Sequence, residues 1–106
     1  MNNQLKKILK NLKNNLKNIY NNELDAVILY GSQARNEAFE GSDIDVLILL
    51  NDEVKPIQEL RKINEFLTEI SLKFNQVISC VFMSKKRYES EQSPLILNIK
   101  KEGIVL

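Results

Sequence analysis

The chain has 106 residues, of which 43% are hydrophobic and 27% are charged, and its formal net charge is +1. These values are typical of one globular domain of roughly 100–150 residues, and they exclude a disordered chain or a low-complexity tail. The sequence contains no histidine, which excludes Ser-His and Cys-His catalysis and any histidine-ligated metal site built from this chain alone. We therefore expect a single domain over residues 1–106 whose chemistry uses carboxylates, hydroxyls, lysine, arginine or backbone groups.

The apolar runs and the single cysteine indicate the cellular compartment of the protein. The longest apolar runs are only strand-sized, and lysine or asparagine interrupts the leucines of the N-terminal segment, so neither a membrane span nor a secretory signal is predicted. The one cysteine, Cys80, excludes an internal disulfide, and its apolar neighbours are typical of a buried, inert thiol in a reducing compartment. We expect a cytoplasmic protein with no membrane partner.

Basic charge is concentrated at the N-terminus. Residues 1–22 hold five lysines and no acid, whereas residues 23–106 hold ten basic and fourteen acidic groups. Strong nucleic-acid binders usually carry basic residues over a whole face, with aromatic platforms where single strands are bound, and here the aromatic residues are few and scattered. Direct nucleic-acid binding is therefore not expected, and the lysines indicate a solvated helix face rather than a surface for nucleic acid or lipid.

Two elements are predicted before residue 31. Apolar residues recur at spacings of three and four, which predicts an amphipathic helix from about Asn3 to Tyr20. The run Ala26 to Tyr30 is rich in β-branched and aromatic residues and predicts a buried strand. That strand is expected to end in a turn at Gly31, because glycine tolerates a sharp reversal of the backbone.

The next segment is predicted to be a short helix and a loop followed by a second strand. Ser32 is placed to cap a helix through Arg35, and a loop reaches Gly41. Side chains alternate along a strand, so the strand that follows has two distinct faces. One face carries Ile44, Val46, Ile48 and Leu50, and the other carries Asp43, Asp45, Leu47 and Leu49.

The second half of the chain is predicted to contain another long helix, a third strand and a short final helix. The long helix begins at Pro56 and ends at about Leu72 or Lys73, the strand covers Val77 to Met83, a polar helix-forming stretch follows, and the final helix covers Pro94 to Glu102. Strands separated by helices predict an α/β (α+β) fold. We expect a small mixed sheet packed against the two long helices on one face.

The segment Gly31-Ser32, followed ten residues later by Asp43-Ile44-Asp45, carries the clearest chemistry. A glycine-serine turn between a strand and a helix presents N–H groups and a hydroxyl to an anion, which predicts a phosphate cradle. Asp43 and Asp45 point to the same side of one strand, and two ionised carboxylates held so close repel each other unless a cation lies between them. Oxygen ligands without histidine or thiolate favour magnesium or manganese.

A purely structural interpretation of these residues is weaker. In it, Gly31-Ser32 is an ordinary turn, Asp43 is a cap and Asp45 is simply exposed. Asp45, however, lies between Ile44 and Val46 in an otherwise apolar strand, where burying an unpaired charge would cost several kcal/mol.

Gly31, Ser32, Asp43 and Asp45 resemble the signature of the polymerase-β-like nucleotidyltransferases. The small size, the Ser42-to-Asp45 block and the C-terminal SPLILNIKKEGIVL further resemble the minimal nucleotidyltransferases (MNT), the antitoxins of HEPN/MNT toxin–antitoxin systems. The resemblance implies a nucleotidyltransferase fold, binding of ATP with Mg²⁺, and transfer of AMP to a tyrosine hydroxyl of a HEPN-family ribonuclease toxin, which neutralises the toxin.

The resemblance also implies a role for each motif residue. Gly31 and Ser32 would hold the triphosphate, and Asp43 and Asp45 would be the catalytic residues that hold the metal ions. Arg35 would pair with a phosphate, or else face solvent at the surface. Ser42 would cap the turn of the metal site, in a role that is either structural or functional.

One departure from the family concerns a third carboxylate that these transferases usually carry on a later strand. The segment from Gln76 to Ser84 contains no acid, so Ser79 or Gln76 would occupy that place. A missing general base typically costs about 10²–10⁴-fold in rate, so activity could be slow, could use a base from the partner, or could be lost.

Two alternative functions remain open at this point. The first is an antitoxin that neutralises its toxin by binding alone, with Ile104, Val105 and Leu106 either as a contact surface or as a short core strand. The second is a transferase that acts on a small hydroxylated substrate, and it ranks last because no second domain is evident to form the substrate pocket.

Overall fold

The computed structural model describes residues 2–39 and 41–106, and Glu40, which belongs to the predicted loop, lies outside them. The helices and strands, in chain order, are α1 (Asn3–Tyr20), β1 (Leu24–Tyr30), β2 (Ile44–Leu50), α2 (Pro56–Phe74), β3 (Ile78–Ser84), α3 (Lys85–Ser90), α4 (Pro94–Glu102) and β4 (Ile104–Val105). The long helices and the three long strands agree with the sequence-based predictions to within two residues at each end. No helix in the described part of the chain is long and apolar enough to cross a membrane.

Side-chain caps and special backbone conformations fix the ends of the helices. The Asn2 side chain accepts a hydrogen bond from the backbone N–H of Leu5 at 2.7 Å, which caps the start of α1. Pro56 occupies the first turn of α2, where its missing N–H costs nothing. At the other end of α2, Asn75 adopts the left-handed conformation with φ of 53°, which is typical of a residue that terminates a helix.

The sheet is mixed and has the order β3-β2-β1-β4. β2 pairs antiparallel with β1 and parallel with β3, and β4 pairs antiparallel with β1 at the edge. The register places Tyr30 opposite Asp45 in the first pair and Asp45 opposite Ser79 in the second. The end of β1 and the start of β2 therefore meet at one end of the sheet.

Both faces of the sheet are covered. On one face, α1 and α2 pack against the side chains that the alternation of β2 assigns to that side, Ile44, Val46, Ile48 and Leu50. On the other face, Ile96 and Ile99 of α4 pack against Leu47 and Leu49. The sequence predicted the first layer of helices and not the second. Burial on both sides explains why β2 is nearly all apolar.

The predicted short helix from Ser32 to Arg35 is wrong, because residues 31–36 form successive hydrogen-bonded turns. The carbonyl of Gly31 accepts hydrogen bonds from the N–H groups of both Ala34 and Arg35, at 3.1 and 3.2 Å. The N–H of Glu37 then donates to the carbonyl of Ser32 at 2.9 Å. This bond joins residues five apart, whereas the bonds of an α-helix join residues four apart. The segment after β1 therefore has no helix dipole behind it.

A buried polar cluster joins α1 to α2. Glu59, only 5% exposed, accepts hydrogen bonds from the Tyr20 hydroxyl and from the backbone N–H of Lys55, at 3.3 and 3.0 Å. Its carboxylate also lies 3.2 Å from the Lys62 ammonium. Burial alone would raise the pKa of Glu59, but the Lys55 N–H, Lys62 and the Tyr20 hydroxyl together hold this pKa below its ordinary value. Ionised Glu59 therefore stabilises the packing of the two long helices.

We expect Glu59→Gln to destabilise the protein by about 1 kcal/mol at neutral pH, because hydrogen bonds to a charged group are stronger than neutral ones. The folded-state pKa is lowered, so this stabilisation is present above the unfolded pKa of about 4.3 and is lost as the pH falls through the folded value. Urea unfolding of both proteins at several pH values measures the difference. Glu65→Gln, on the exposed face of α2, is the matched control, and an equal effect of the two substitutions would contradict the account.

Candidate active site

Gly31 and Asp45 lie against each other at the end of the sheet where β1 and β2 meet. Gly31 has φ of 74°, a conformation that side chains disfavour, and a Cβ at this position would lie 2.5 Å from Oδ2 of Asp45. The absence of a side chain on Gly31 therefore leaves the space that the Asp45 carboxylate occupies. The two halves of the sequence motif are brought together by the register of β1 with β2.

The two aspartates differ in exposure. Asp43 precedes β2 and is exposed, whereas Asp45 is half-buried within the strand. Burial raises the pKa of Asp45 above its ordinary value, the neighbouring Asp43 carboxylate raises this pKa further, and Arg35 lowers it in part. The pair is thus close enough for mutual repulsion, which a bound cation would relieve.

Ser42 has a clear structural role in the loop before Asp43. It is 8% exposed, and its Oγ accepts a hydrogen bond from the backbone N–H of Phe39 at 3.0 Å. Its own N–H donates to the carbonyl of Phe39 at 3.0 Å. These bonds tie Ser42 to Phe39 immediately before the first aspartate.

The Arg35 guanidinium is held in ion pairs. Its Nε and Nη1 donate hydrogen bonds to Glu37 and to Glu102 of α4, each at 2.9 Å. The side chain is still 39% exposed and is close enough to Asp45 to affect the pKa of that carboxyl. A role in phosphate binding stays a prediction, and it would require Arg35 to leave at least one of its two carboxylate partners.

Among residues 2–39 and 41–106, no third carboxylate or thiol joins Asp43 and Asp45 in a group that could hold a metal ion. Ser79 is opposite Asp45 in the parallel pair of β2 and β3, at the place predicted for the missing acid. Gln76 lies before β3, and its Oε1 is buried without a hydrogen-bond partner. Of Ser79 and Gln76, the two replacements that the sequence suggested, Ser79 is the one that pairs with Asp45 in the sheet.

Gln33 is a contact of this site that sequence reasoning missed. Its Nε2 donates a hydrogen bond to the carbonyl oxygen of Ser42 at 3.3 Å, across the loop between the two halves of the motif. No periodicity or spacing could have revealed it, because the bond depends on how the loop closes.

A larger cavity than those beside the motif lies elsewhere. It has a volume of about 400 Å³ and is lined by Lys13 and Lys17 of α1, Asp25 of β1 and the C-terminal residues Val105 and Leu106. Its lining holds one acidic side chain, Asp25, and no glycine turn, so it lacks the pair of acidic side chains and the turn that the motif provides. We therefore place the candidate active site at the motif, on an open surface at the end of the sheet.

The chain matches the family described as "Nucleotidyltransferase domain" over residues 5–106. A relative from Methanocaldococcus jannaschii, MJ0141, named as a candidate protein adenylyltransferase, is 40% identical over 78 residues, which cover 74% of this chain and 78% of the relative. A second relative from the same organism, MJ0604, named in the same way, is 31% identical over 101 residues, covering 94% of this chain and 95% of the relative.

Solved structures show the same fold. A toxin–antitoxin structure with AMP-PNP superposes with a TM-score of 0.63 at 21% identity, covering 98% of this chain and 72% of the other. A tri-AMPylated Shewanella oneidensis HEPN toxin in complex with its MNT antitoxin gives a TM-score of 0.56 at 20% identity, covering 96% of this chain and 67% of the other. The family match covers nearly the whole sequence, including the glycine turn and the aspartate pair. The chain therefore belongs to the nucleotidyltransferase domain family.

Proposed function

We propose that this chain transfers AMP from ATP, with Mg²⁺, to a tyrosine hydroxyl of a HEPN-family toxin and thereby neutralises the toxin. The observation that carries the proposal is the contact of the Asp45 carboxylate with Gly31, beside Asp43. This arrangement supports a site in which two hard oxygen ligands would lie next to a phosphate-binding turn. Gly31, Ser32, Asp43 and Asp45 are the residues to which we assign the site.

The aspartate pair fits a divalent metal on the evidence of its own electrostatics. Burial raises the pKa of Asp45 and the Asp43 carboxylate raises it further, and two carboxylates that repel each other bind a cation more favourably than either would alone. When bound, Mg²⁺ would neutralise phosphate charge and orient the α-phosphate for in-line displacement. Asp43 and Asp45 would hold the metal, and the backbone of the 31–36 turns would contact the phosphates through N–H groups rather than through a helix end.

At the α-phosphorus, the transfer forms one bond and breaks one. The acceptor oxygen bonds to the α-phosphorus, the bond from that phosphorus to the β-phosphate oxygen breaks, and pyrophosphate leaves. The acceptor hydroxyl loses its proton in the process. The described residues provide no third carboxylate at the site to take this proton. We assign the proton to a water molecule or to a base on the acceptor protein, which predicts a slow enzyme.

The acceptor is inferred from the relatives. Both Methanocaldococcus jannaschii proteins are named as candidates for AMP transfer to proteins, and the Shewanella structure contains a toxin that carries AMP. The exposed position of Asp43 is compatible with a hydroxyl presented by another protein.

We also propose a cytoplasmic location. Burial raises the pKa of Cys80 to about 12, so this thiol stays protonated, which is compatible with a reducing compartment.

A second candidate function is neutralisation by contact alone. The missing third carboxylate favours it, since weak catalysis leaves binding as the main effect. Val105 of β4 is 68% exposed and Ile104 is 37% exposed, so the C-terminal segment is an edge strand with apolar side chains available to a partner.

Intact-mass analysis of any HEPN-family protein encoded beside this chain, after co-expression with it, tests the transfer. We expect wild type to add whole AMP units, and Asp43→Ala/Asp45→Ala to lower the rate by on the order of 10²-fold or more, because the metal ligands are lost. Asp52→Ala/Glu53→Ala removes two acids from the turn after β2 and is the matched control, with modification at the wild-type level. A partner that is neutralised but unmodified by both wild type and the aspartate variant would establish the contact mechanism and refute the transfer.

Burial of the Asp45 carboxylate and its repulsion by Asp43 together predict a gain in stability when the charge of Asp45 is removed. The folded-state pKa of Asp45 is raised, so ionised Asp45 destabilises the metal-free fold above that pKa, and the penalty disappears below the unfolded pKa of about 3.9. Asp45→Asn is therefore expected to raise the Tm of the metal-free protein at pH 7 and to abolish the further rise that MgCl₂ causes in wild type.

Thermal unfolding with and without MgCl₂ measures both effects. Asp52→Asn, which changes an exposed aspartate outside the site, should leave both values unchanged. A lower Tm for metal-free Asp45→Asn than for wild type would show that the carboxylate serves the fold rather than the site.

A further inference from the structure

One side-chain hydrogen bond connects the two halves of the site. Gln33 follows Ser32, and Ser42 precedes Asp43, so the bond from Gln33 Nε2 to the Ser42 carbonyl joins the direct neighbours of a predicted phosphate ligand and a predicted metal ligand. Within the described residues, no other side-chain hydrogen bond links residues 31–35 to residues 41–45.

The position of Asp43 depends on its backbone neighbours. Its carboxylate is exposed, and no described residue donates a side-chain or loop hydrogen bond to it. On the C-terminal side, the N–H of Ile44 donates to the carbonyl of Val77 at 2.9 Å, which fixes the start of β2. On the N-terminal side, the Ser42 carbonyl belongs to the peptide that leads into Asp43, and Gln33 holds it. Removing the Gln33 amide would free one of these two anchors.

The Gln33 side chain is itself constrained. It is half-buried and lines a small cavity of about 30 Å³, together with Gln4 and Leu5 of α1, Ile44 and Gln76. These walls limit the rotamers that the amide can adopt, so the N–H group that reaches Ser42 is held by the packing of α1. Such a constrained donor is better suited to fix a loop than an exposed side chain would be.

We propose that Gln33 is a positioning residue, which acts through the Ser42 carbonyl to hold the Asp43 carboxylate where it can bind a divalent metal. The inference rests on the proposed function, because it assumes that Asp43 and Asp45 are metal ligands. Gln33 contacts neither the metal nor the nucleotide. Loss of a hydrogen bond made directly to a metal ligand typically weakens metal affinity by about 10–100-fold, and for this bond, one residue removed from the ligand, we expect the lower end of that range.

Titration of the free chain with Mn²⁺ alone, followed by electron paramagnetic resonance, tests the proposal. Gln33→Met keeps the length of the side chain and removes the N–H donor, and we expect Mn²⁺ to bind at least about 10-fold more weakly than to wild type. Gln33→Ala should give the same loss, which shows that the effect does not depend on side-chain volume. The Tm of the metal-free variants, compared with wild type, reports whether the fold is retained.

Gln4→Met is the matched control. Gln4 lines the same cavity, and its Nε2 donates to the carbonyl of Phe74 at 3.4 Å, away from the loop. Its loss should leave Mn²⁺ affinity unchanged. In the AMP-transfer assay, saturating Mn²⁺ should restore the rate of Gln33→Met towards wild type, whereas a general defect in folding would not be corrected by metal.

Two results would overturn the proposal, and they are distinguishable. If Asp43→Ala/Asp45→Ala loses Mn²⁺ binding but Gln33→Met binds as tightly as wild type, or if Gln4→Met weakens binding equally, Gln33 has no positioning role while the metal site stands. If the double aspartate variant binds Mn²⁺ like wild type, the metal site of the proposed function fails, and the inference fails with it.

Discussion

The pairing of β1 with β2 is the constraint on which the site depends. Because the two strands run antiparallel with Tyr30 opposite Asp45, the glycine that ends one strand lies beside the aspartate at the start of the other. A register shift of one residue would turn Asp45 towards α1 and α2 and would move Val46 out of the core. The buried side chains on both faces of β2 make that shift costly, so the hydrophobic core also fixes the geometry of the polar site.

The site is built at some expense to the fold. Asp45 is half-buried beside a second carboxylate, and burial and Asp43 both raise its pKa. Within the described residues, the cation that lowers this pKa is Arg35, which is shared with Glu37 and Glu102. Elsewhere in the molecule, the buried acid Glu59 has its charge satisfied by an N–H group, an ammonium and a hydroxyl. The contrast separates an acid that stabilises the packing of helices from an acid pair whose repulsion a bound cation would relieve.

Much of this arrangement could be predicted from local patterns. The alternation of β2 identified both faces of the strand. The aspartate between Ile44 and Val46 was recognisable as a site residue because an unpaired charge in an apolar strand is unfavourable. The helix predicted after Ser32 failed because the N–H of Glu37 bonds the carbonyl of Ser32, five residues earlier, so the four-residue repeat of an α-helix is not continued. The ion pair of Arg35 with Glu102 joins residues 67 positions apart, and the bond of Gln33 to Ser42 spans a loop. Such contacts have no periodic signal, so only the folded chain reveals them.

The most direct test of the account is to locate bound metal on the folded chain. Mn²⁺ with a non-hydrolysable ATP analogue broadens the NMR signals of nearby amides, and the account predicts selective broadening at residues 31–35 and 43–45, at the end of the sheet where Gly31 meets Asp45. Broadening centred on Lys13, Lys17 and Val105 would contradict the account. It would place the nucleotide in the cavity of about 400 Å³ beside the start of β1, at the other end of that strand from Gly31.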